Sequence, residues 1–399
     1  MSRVGHHNSH RGLIQAPGPV DGRAPVDAII VPSSRPEFAL VEAGRLAAVL
    51  DATLLVLCSG WSRARAVPDR LARLSTLQVV AVDFPAAGAP YLPVLETSTV
   101  LGRSHLQRKA DTSAKRNLGL ALARMSGWHN VVFLDDDIVV PDAADLERAA
   151  ALLDVHDGVG LRLGGFPDNS VVCHANRETG EKQDTFVGGG ALAVPAGRID
   201  SFFPEIYNED WFFLLGDTAL RPVSQVGHAL QRSYDPFSDP DRARAEEFGD
   251  VLAEGIFARL DQRQPIAAET GYWGDFLAAR LGLIERIEKR IGPDTPKGVA
   301  MRRALHAAKG RLRSIRPIDC VRYIEAWQND RKTWRDFIGD LAPNVGLDTA
   351  VGAFGLRSFT SEPRGRRRSK PERTAPRPAL AATLPQSPTP ARRSAPAVR

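Results

Sequence analysis

A run of apolar residues that ends in three consecutive carboxylates is the feature that most restricts how this chain can fold. Residues 131–134 are apolar and rich in valine, as a buried strand is, and Asp135, Asp136 and Asp137 follow directly. Like charges this close raise one another's pKa unless a cation lies among them. Mg2+ or Mn2+ would satisfy them, and such ions commonly bridge carboxylates to the phosphates of a substrate. The alternative is a strand followed by a solvated acidic turn.

Short apolar runs alternate with helical stretches through the first part of the chain. The runs are residues 28–31, 53–57, 79–82 and 131–134, and the helical stretches include residues 38–50 and 142–153. This alternation predicts βαβ units in a doubly wound, Rossmann-like α/β sheet, with ligands beyond the carboxyl ends of the strands. Pro32, Asp83 and Asp135 fall at such ends, so we expect them to belong to one site.

Two cations stand in the first turn of a predicted helix that begins near Asp111. Leu118 and Leu122 give this helix an apolar face, while Lys115 and Arg116 occupy its start. Helix N-termini favour anions, so these cations contribute little to helix stability. They are better suited to a diphosphate, which arginine can bind with two parallel hydrogen bonds. A solvated basic face is the alternative.

Several segments, in this order, resemble the nucleotide-sugar glycosyltransferases of the GT-A fold, in particular the inverting family-two group. The first three are DAIIVPSSRPEF at residues 27–38, KRNLGLA at residues 115–121 and FLDDD at residues 133–137. FVGGGA at residues 186–191 resembles the acceptor-side strand of that family, and NEDW at residues 208–211 resembles its "ED" motif. Val226-Gly227-His228 resembles the sequence around its late metal-binding histidine. The resemblance extends over residues 26 to 235.

This resemblance implies a metal-dependent enzyme that moves a sugar from a nucleoside-diphosphate sugar to a hydroxyl acceptor. Asp210 would be the general base and Glu209 its auxiliary. The cofactor would be Mn2+ or Mg2+, with ligands Asp137, Asp135 and His228. The donor would be bound by Pro32, Ser33, Arg35, Lys115, Arg116, Asp135 and Asp136. The acceptor would contact Gly189, Gly190 and Trp211.

One segment departs from the family pattern. After the second strand the family carries an Asp-Asp-Gly-Ser turn that meets the nucleotide base, whereas this chain has LCSGWS at residues 57–62. Asp83 is a candidate substitute carboxylate for donor binding, and Trp61 a candidate stacking surface. Because of this departure, a non-catalytic relative that binds a sugar nucleotide is an alternative. A sugar-phosphate nucleotidyltransferase is a second alternative, although it should open with a glycine-rich basic loop that PSSRP at residues 32–36 does not supply.

Composition indicates how the chain is divided. Its 399 residues are 43% apolar, which is enough for a full core. We expect disorder in residues 1–25, a GT-A domain over 26–238, a helical appendage over 239–355 and a disordered basic tail over 356–399. From Ser361 onward ten Lys or Arg face two Glu, a net +8, so a total of +5 leaves residues 1–360 at −3. The basic character belongs to the tail, and we expect no nucleic-acid partner for the folded body.

Cysteine spacing and hydropathy indicate the compartment. Cys58, Cys173 and Cys320 lie far apart, which predicts neither a zinc site nor a disulfide framework and favours the cytoplasm. No signal peptide or membrane span is visible. Segments 281–291 and 301–313 combine an apolar stripe with cations, so weak peripheral contact with the inner face of a membrane is conceivable, although packing on the sheet domain is preferred. His6, His7 and His10 could bind metal weakly, but a disordered polar terminus is favoured.

Overall fold

The computed structural model describes residues 5–361, apart from residues 17–21, 75, 86–90, 109, 168, 185, 268, 293 and 294. The predictions of disorder for residues 1–4, 17–21 and 362–399 therefore lie outside the described residues. The strands are β1 (Ala28–Ser33), β2 (Thr53–Cys58), β3 (Gln78–Asp83), β4 (Asn130–Leu134), β5 (Ile138–Val139), β6 (Gly158–Gly165), β7 (Ala191–Pro195), β8 (Val223–Gln231) and β9 (Ser358–Ser361).

The α-helices fall between the strands in the first part of the chain and follow one another in the last part. They are α1 (Val41–Val49), α2 (Val67–Leu71), α3 (Glu96–Gly102), α4 (Thr112–Ser126), α5 (Ala144–Ala151), α6 (Val171–Glu178), α7 (Glu209–Phe213), α8 (Pro240–Asp261), α9 (Thr270–Arg290), α10 (Pro296–Leu312), α11 (Pro317–Asp340) and α12 (Leu347–Ala353). The four strands expected from the sequence, and helices within residues 38–50 and 142–153, are confirmed.

One mixed sheet organises the fold, and the described part of the chain contributes nine strands to it. Their order is β5-β8-β6-β7-β4-β1-β2-β3-β9. β1 pairs in parallel with β2 and β4, and β2 with β3, while β7 runs antiparallel to β4. The half built from β1 to β4 therefore has the strand order of a doubly wound sheet, and an α/β fold is observed as predicted.

Alternate strand residues enter two separate cores. One core packs β1 to β4 against α1, α2 and α5, and the other packs the opposite face against α4 and the helices α8 to α11. Helix α4 approaches the sheet closely because Gly119 lies against Ile30, where an added Cβ would be 2.9 Å from the Ile30 Cγ2. This close packing fixes the first turn of α4 beside the carboxyl ends of β1 and β4.

The last helices are a layer of this fold. Buried residues of α8 to α11 belong to the same core as the sheet face, so these helices pack on the sheet. The apolar stripes of α9 and α10, including Leu283, Ile287 and Leu305, are buried. Neither helix thus offers those stripes to a membrane surface. No helix among the described residues is long and apolar enough to cross a bilayer.

Two stretches expected to lack structure are ordered. Residues 5–16, which we name the N-terminal segment, place His7 and His10 in the interior at 2% and 3% exposure. At the other end, β9 pairs antiparallel with β3 over residues expected to belong to the tail. The expected disorder is not observed for these residues, because imidazole–aromatic contacts hold the N-terminal segment and hydrogen bonds to the edge of β3 hold β9.

Candidate active site

The three carboxylates that follow β4 point to different partners. Asp135 accepts a hydrogen bond from Arg116 at 2.8 Å. Asp136 accepts from the Ser33 hydroxyl at 2.8 Å and is paired with Arg35. Asp137 accepts from the second Nη of Arg35 at 2.9 Å. Cations therefore lie among these acids, and the mutual repulsion expected from the sequence is relieved by arginine within the chain.

Arg116 joins the triplet to the motif at residues 208–211. Its Nη2 contacts Asp135 and its Nη1 donates to Glu209 at 2.8 Å, while its side chain is only 3% exposed. The guanidinium also lies over the Phe203 ring, 5.5 Å from the centroid. An added Cβ at Gly189 would come within 2.5–2.8 Å of the guanidinium. The glycine run thus leaves room for the arginine that holds the two acids together.

Asp210 is positioned by backbone amides. Its Oδ2 accepts from Gly189 N at 2.7 Å, and its Oδ1 accepts from Trp211 N at 2.9 Å. A side chain at Gly188 would lie 2.7 Å from the same Oδ2. Burial raises the pKa of Asp210, and Arg116 and the two amides partly offset the rise. A carboxylate that is fixed and partly desolvated suits a general base.

Two neighbouring acids share this environment. Removal from bulk water raises the pKa of Asp135 to about 6, and Arg116 opposes that rise. Burial likewise raises the pKa of Glu209 against the opposing charges of Arg116 and Arg108. Asp135 is nevertheless one-third exposed within its cavity, at 34%, so solvent and ligands can reach it.

An unusual backbone conformation precedes Glu209. Asn208 has φ +62°, in the left-handed region that asparagine tolerates better than most residues. It occupies the N-cap of α7 without a side-chain cap bond. Its amide nitrogen instead donates to Asp250 on α8 at 2.9 Å. The side chain of the N-cap residue therefore anchors the segment to α8.

The structure places Lys115 differently from Arg116. Its amino group donates to the Ser33 carbonyl at 2.9 Å and the Ser59 hydroxyl at 2.6 Å, and it pairs with Asp111 at 3.1 Å. The side chain is 1% exposed. Lys115 thus ties α4 to the ends of β1 and β2. Both cations of this turn are therefore paired with acceptors within the chain.

His228 does not join the triplet. It is exposed on β8, beside Arg162 of β6, and its backbone N donates to Asp145. The β8 residue that reaches Asp137 is Gln231, whose Nε2 donates at 2.9 Å. Among the described residues, the carboxylates of the triplet and His228 do not converge as a three-ligand group. The structure therefore does not place the predicted histidine ligand with the triplet, because His228 lies three residues before Gln231 on β8 and is exposed.

The residues predicted to contact an acceptor form part of the wall of the site. Gly189 supplies an amide to Asp210, and the Gly190 carbonyl accepts from Asp135 N at 2.9 Å. Trp211 lines the cavity but is 4% exposed and packs its ring against His10 and Phe186. Gly189 and Trp211 therefore build the wall around the acids.

Two cavities adjoin the first turn of α4. The first, of about 200 Å³, is lined by Asp135, Glu209 and Asp210 together with Arg108, Tyr207 and residues of α6 and α8. The second, of about 700 Å³, lies at the carboxyl ends of β2 and β3 and includes Ser59, Arg63 and Asp83. Asp83 accepts from Ala64 N at 2.9 Å, and Trp61 is 78% exposed nearby in the sequence. Pro32, on β1, is partly buried.

Some lining residues escaped sequence analysis. Arg108 lies 3.8 Å from Glu209 and over the ring of Tyr207. Asp250 and Glu254 reach the first cavity from α8, and Cys173 reaches it from α6. Arg108 belongs to no motif in the sequence. The acids of α8, in contrast, recur with the spacing of one helix face, which indicates that this face carries charge. The serine and arginine partners of Asp136 were expected as donor-binding residues.

Comparisons with known proteins add one distant similarity. No model of a known protein family matches this chain, and no curated protein does. Among solved structures, the mannosyltransferase PcManGT from Pyrobaculum calidifontis, in complex with GDP-Man and Mn2+, is similar over 84% of this chain and 90% of its own. The identity is 15% and the TM-score 0.36. Similarity at this level does not assign a substrate to the present chain.

Proposed function

We propose that this protein transfers a sugar from a nucleoside-diphosphate sugar to a hydroxyl-bearing acceptor. The observation that carries the proposal is the meeting of Asp135, Glu209 and Asp210 in one cavity, with Arg116 joining the first two. These residues come from segments far apart in the chain, and each segment resembles a block of the GT-A glycosyltransferases. In that fold the residues that bind the sugar donor and the base that acts on the acceptor would lie next to each other.

The donor nucleotide fits the larger cavity. Its volume of about 700 Å³ is in the range of cofactor sites, and it lies beyond strand ends, where α/β sheets bind nucleotides. Ser59, Arg63 and Asp83 offer polar groups, and Trp61 offers an exposed aromatic face. Asp83 keeps one oxygen on a backbone amide, so its other oxygen would meet the base or ribose. Arg35, half exposed, would turn to the diphosphate.

A divalent cation fits two of the acids. Asp135 Oδ2 and Asp137 Oδ1 make no hydrogen bond within the described part of the chain, whereas their other oxygens are engaged. Oxygen donors of this kind suit Mn2+ or Mg2+, with phosphate and water completing the shell. Asp135 and Asp137 would hold the ion once Arg35 withdraws. When bound, the metal would offset the charge that builds on the departing diphosphate.

Asp210 would remove the proton of the acceptor hydroxyl. Its raised pKa gives it more basicity than an ordinary aspartate, while the amides of Gly189 and Trp211 keep it oriented. Glu209, held by Arg116, would position the acceptor or adjust the charge beside the base. Tyr207 and Arg108 form the remaining wall near these acids. With inversion, as in the family-two enzymes, the base would act on the face opposite the leaving group.

A panel assay tests the proposal. The full chain is incubated with UDP-, GDP- and dTDP-sugars, Mn2+ and a set of hydroxyl acceptors, and nucleotide release is measured together with the glycosylated product. We expect acceptor-dependent release with at least one donor and loss of that release in Asp210→Asn. Tight donor binding without release from any acceptor in the panel would contradict the enzymatic proposal.

A non-catalytic sugar-nucleotide-binding protein is the second candidate. Two observations favour it: Arg35 pairs with Asp136 and Asp137, and Lys115 is buried. Both cations are thus engaged within the chain and do not face a donor. This candidate predicts donor affinity that is the same with and without an acceptor and no product at any acceptor concentration. The panel assay therefore separates the two.

A further inference from the structure

The N-terminal segment is fastened to the first cavity at several points. The carbonyl of Asn8 accepts from Asp184 N at 3.0 Å, and Gln15 N donates to the Val223 carbonyl at 2.8 Å. Between these contacts the His10 ring stacks on Phe257 and meets Trp211 edge-on. The segment thus crosses the outside of the cavity wall that contains Trp211.

A group of three different ligand types lies where this segment begins. His6 Nδ1 is 2.5 Å from Glu254 Oε2, and Cys173 Sγ is 3.5 Å from Glu254 Oε1. One nitrogen, one sulfur and one oxygen atom all lie within 4.8 Å of one another. Cys173 and Glu254 are buried, and both line the first cavity. Among the described residues, these are the only ones that form such a group.

The second nitrogen of His6 is held in the way that metal-binding histidines usually are. His6 Nε2 lies 2.7 Å from Gln183 Oε1, which only accepts, so Nε2 carries a proton and the ring is oriented. Nδ1 donates to Glu254 without a metal, and it would release that proton when a metal binds between Glu254 and Cys173. Glu254 is oriented in the same manner, because Arg280 donates to its Oε1 at 2.8 Å. Both side chains are therefore fixed by outer partners.

Local charge also favours a cation. Glu247, Asp250 and Glu254 from α8 all contact Arg280, and all four side chains are buried. Three carboxylates against one guanidinium leave an excess of two negative charges, which the proton of His6 partly offsets. Buried charges of one sign are costly unless they are compensated. A divalent ion at His6, Cys173 and Glu254 would take the place of two protons, one from His6 and one from the Cys173 thiol, so that the acidic surroundings would hold the cation.

We propose that His6, Cys173 and Glu254 bind one transition-metal ion of the Zn2+ class and thereby fasten the N-terminal segment to the wall of the first cavity. The donor set of imidazole, thiolate and carboxylate is one that zinc takes in tetrahedral sites, where ligand atoms stand about 3.3–3.6 Å apart. The separation of His6 from Glu254 would widen by about 1 Å to reach that range. The fourth ligand would come from the cavity, as a water molecule.

This inference goes beyond sugar transfer and does not depend on it. The proposed donor-side metal is of another kind, since it uses only oxygen donors at Asp135 and Asp137. Hard Mn2+ or Mg2+ would prefer that site, and a thiolate would select Zn2+ or Co2+. A thiolate-specific signal therefore reports on Cys173 alone, whatever the enzyme does with a sugar.

Cobalt provides the test. Full-length protein without an affinity tag is stripped of metal, titrated with Co2+ and followed by absorption, and Zn2+ is then added in competition. We expect one equivalent of Co2+ to give a thiolate-to-cobalt charge-transfer band that Zn2+ removes. Cys173→Ser and His6→Gln should abolish the band, and Gln183→Leu should weaken Zn2+ affinity about 10–100-fold. The matched controls Cys320→Ser and His129→Gln should leave both signals unchanged.

The same proteins are melted with and without Zn2+. Zn2+ should raise the melting temperature of the parent chain and of the controls, but not that of Cys173→Ser or His6→Gln. Melting without metal identifies any variant that fails to fold. If Cys173→Ser or His6→Gln fails to fold, the other of the two decides the test. A parent chain without the charge-transfer band, or a band that persists in Cys173→Ser, would show that His6 and Glu254 form only an ion pair.

Discussion

Two arginines, Arg116 and Arg280, each hold several carboxylates, but the acids come from different places. Arg116 pairs with Asp135, at the end of β4, and with Glu209, in α7. The three acids around Arg280 all lie on α8, with the spacing of one helix face. The surroundings differ: Arg116 and both of its acids line the first cavity, whereas Arg280 and Glu247 do not line it, although Asp250 and Glu254 border it from α8.

This difference indicates how a charged cluster is to be interpreted. Acids that converge from separate elements onto an open cavity are available to a ligand, and their pKa values can be used in catalysis. Acids of one helix that face a single arginine mainly join that helix to its neighbour, here α8 to α9. The two clusters meet at Asn208, which precedes Glu209 and donates to Asp250.

The largest expected effect is on stability. Arg280→Met leaves three buried carboxylates without a cation, so we expect the free energy of unfolding to fall by about 3–5 kcal/mol. Arg116→Met should cost less, about 1–3 kcal/mol, because water in the cavity can reach Asp135. Urea unfolding of both variants measures the difference. Equal losses would remove the distinction between the clusters.

The next effect concerns metal at the cavity acids. Asp137→Ala removes a proposed ligand and relieves repulsion within the triplet, so the fold should persist while Mn2+-dependent affinity for a nucleoside diphosphate falls at least about tenfold. Calorimetry with and without Mn2+ measures the change, and Asp142→Ala, at an exposed acid nearby, is the control. Unchanged Mn2+-dependent affinity would show that Asp137 binds no metal.

A third effect is on the pH dependence of transfer. Burial raises the pKa of Asp210, so its protonated form persists to a higher pH than in an exposed aspartate. The base acts only when ionised, and single-turnover transfer should therefore drop about tenfold per pH unit below that raised pKa and level off above it. Circular dichroism at each pH checks that the fold is intact. A rate that stays constant into the range of ordinary aspartates would exclude this role.

The smallest effect is at the C-terminus. Ending the chain after Ser361 should leave the melting temperature and transfer unchanged, because the removed residues have too little apolar content to offset the entropy of ordering. Ending it after Arg357 also removes β9 and uncovers β3, at a cost of about 1 kcal/mol from the half-buried Phe359. Thermal melts of both truncations compare them. A large loss from the first truncation would show that the tail packs on the body.

Strands and helices were largely predictable because local patterns determine them. The valine-rich run before Asp135 forms β4, and Asp111 begins α4, as the sequence indicates. β9 was missed because four residues, only one of them apolar, carry no periodicity. The N-terminal segment was missed for a related reason: its histidines are polar by composition, yet they pack as aromatic rings.

The site was predictable in its acids and less so in their partners. The resemblance implied that Asp135, Glu209 and Asp210 belong to one site, and all three line the first cavity. Arg35 lies about a hundred residues from Asp136 in the chain, so its pairing with the triplet could not be deduced from spacing. His228 was expected at the triplet from the resemblance alone, whereas Gln231, three residues further along β8, reaches Asp137. Long-range pairing and irregular strands are decided by tertiary packing.

Two matched substitutions test the central claim most directly. Asp210→Asn and Glu247→Gln each replace an acid of raised pKa by its amide, one beside Arg116 and one beside Arg280. Single-turnover transfer and donor affinity are measured on both. We expect Asp210→Asn to lose about 10²–10⁴ in turnover with donor affinity unchanged, and Glu247→Gln, which does not line the cavity, to transfer at close to the parent rate. Near-normal transfer by a folded Asp210→Asn protein would contradict the account.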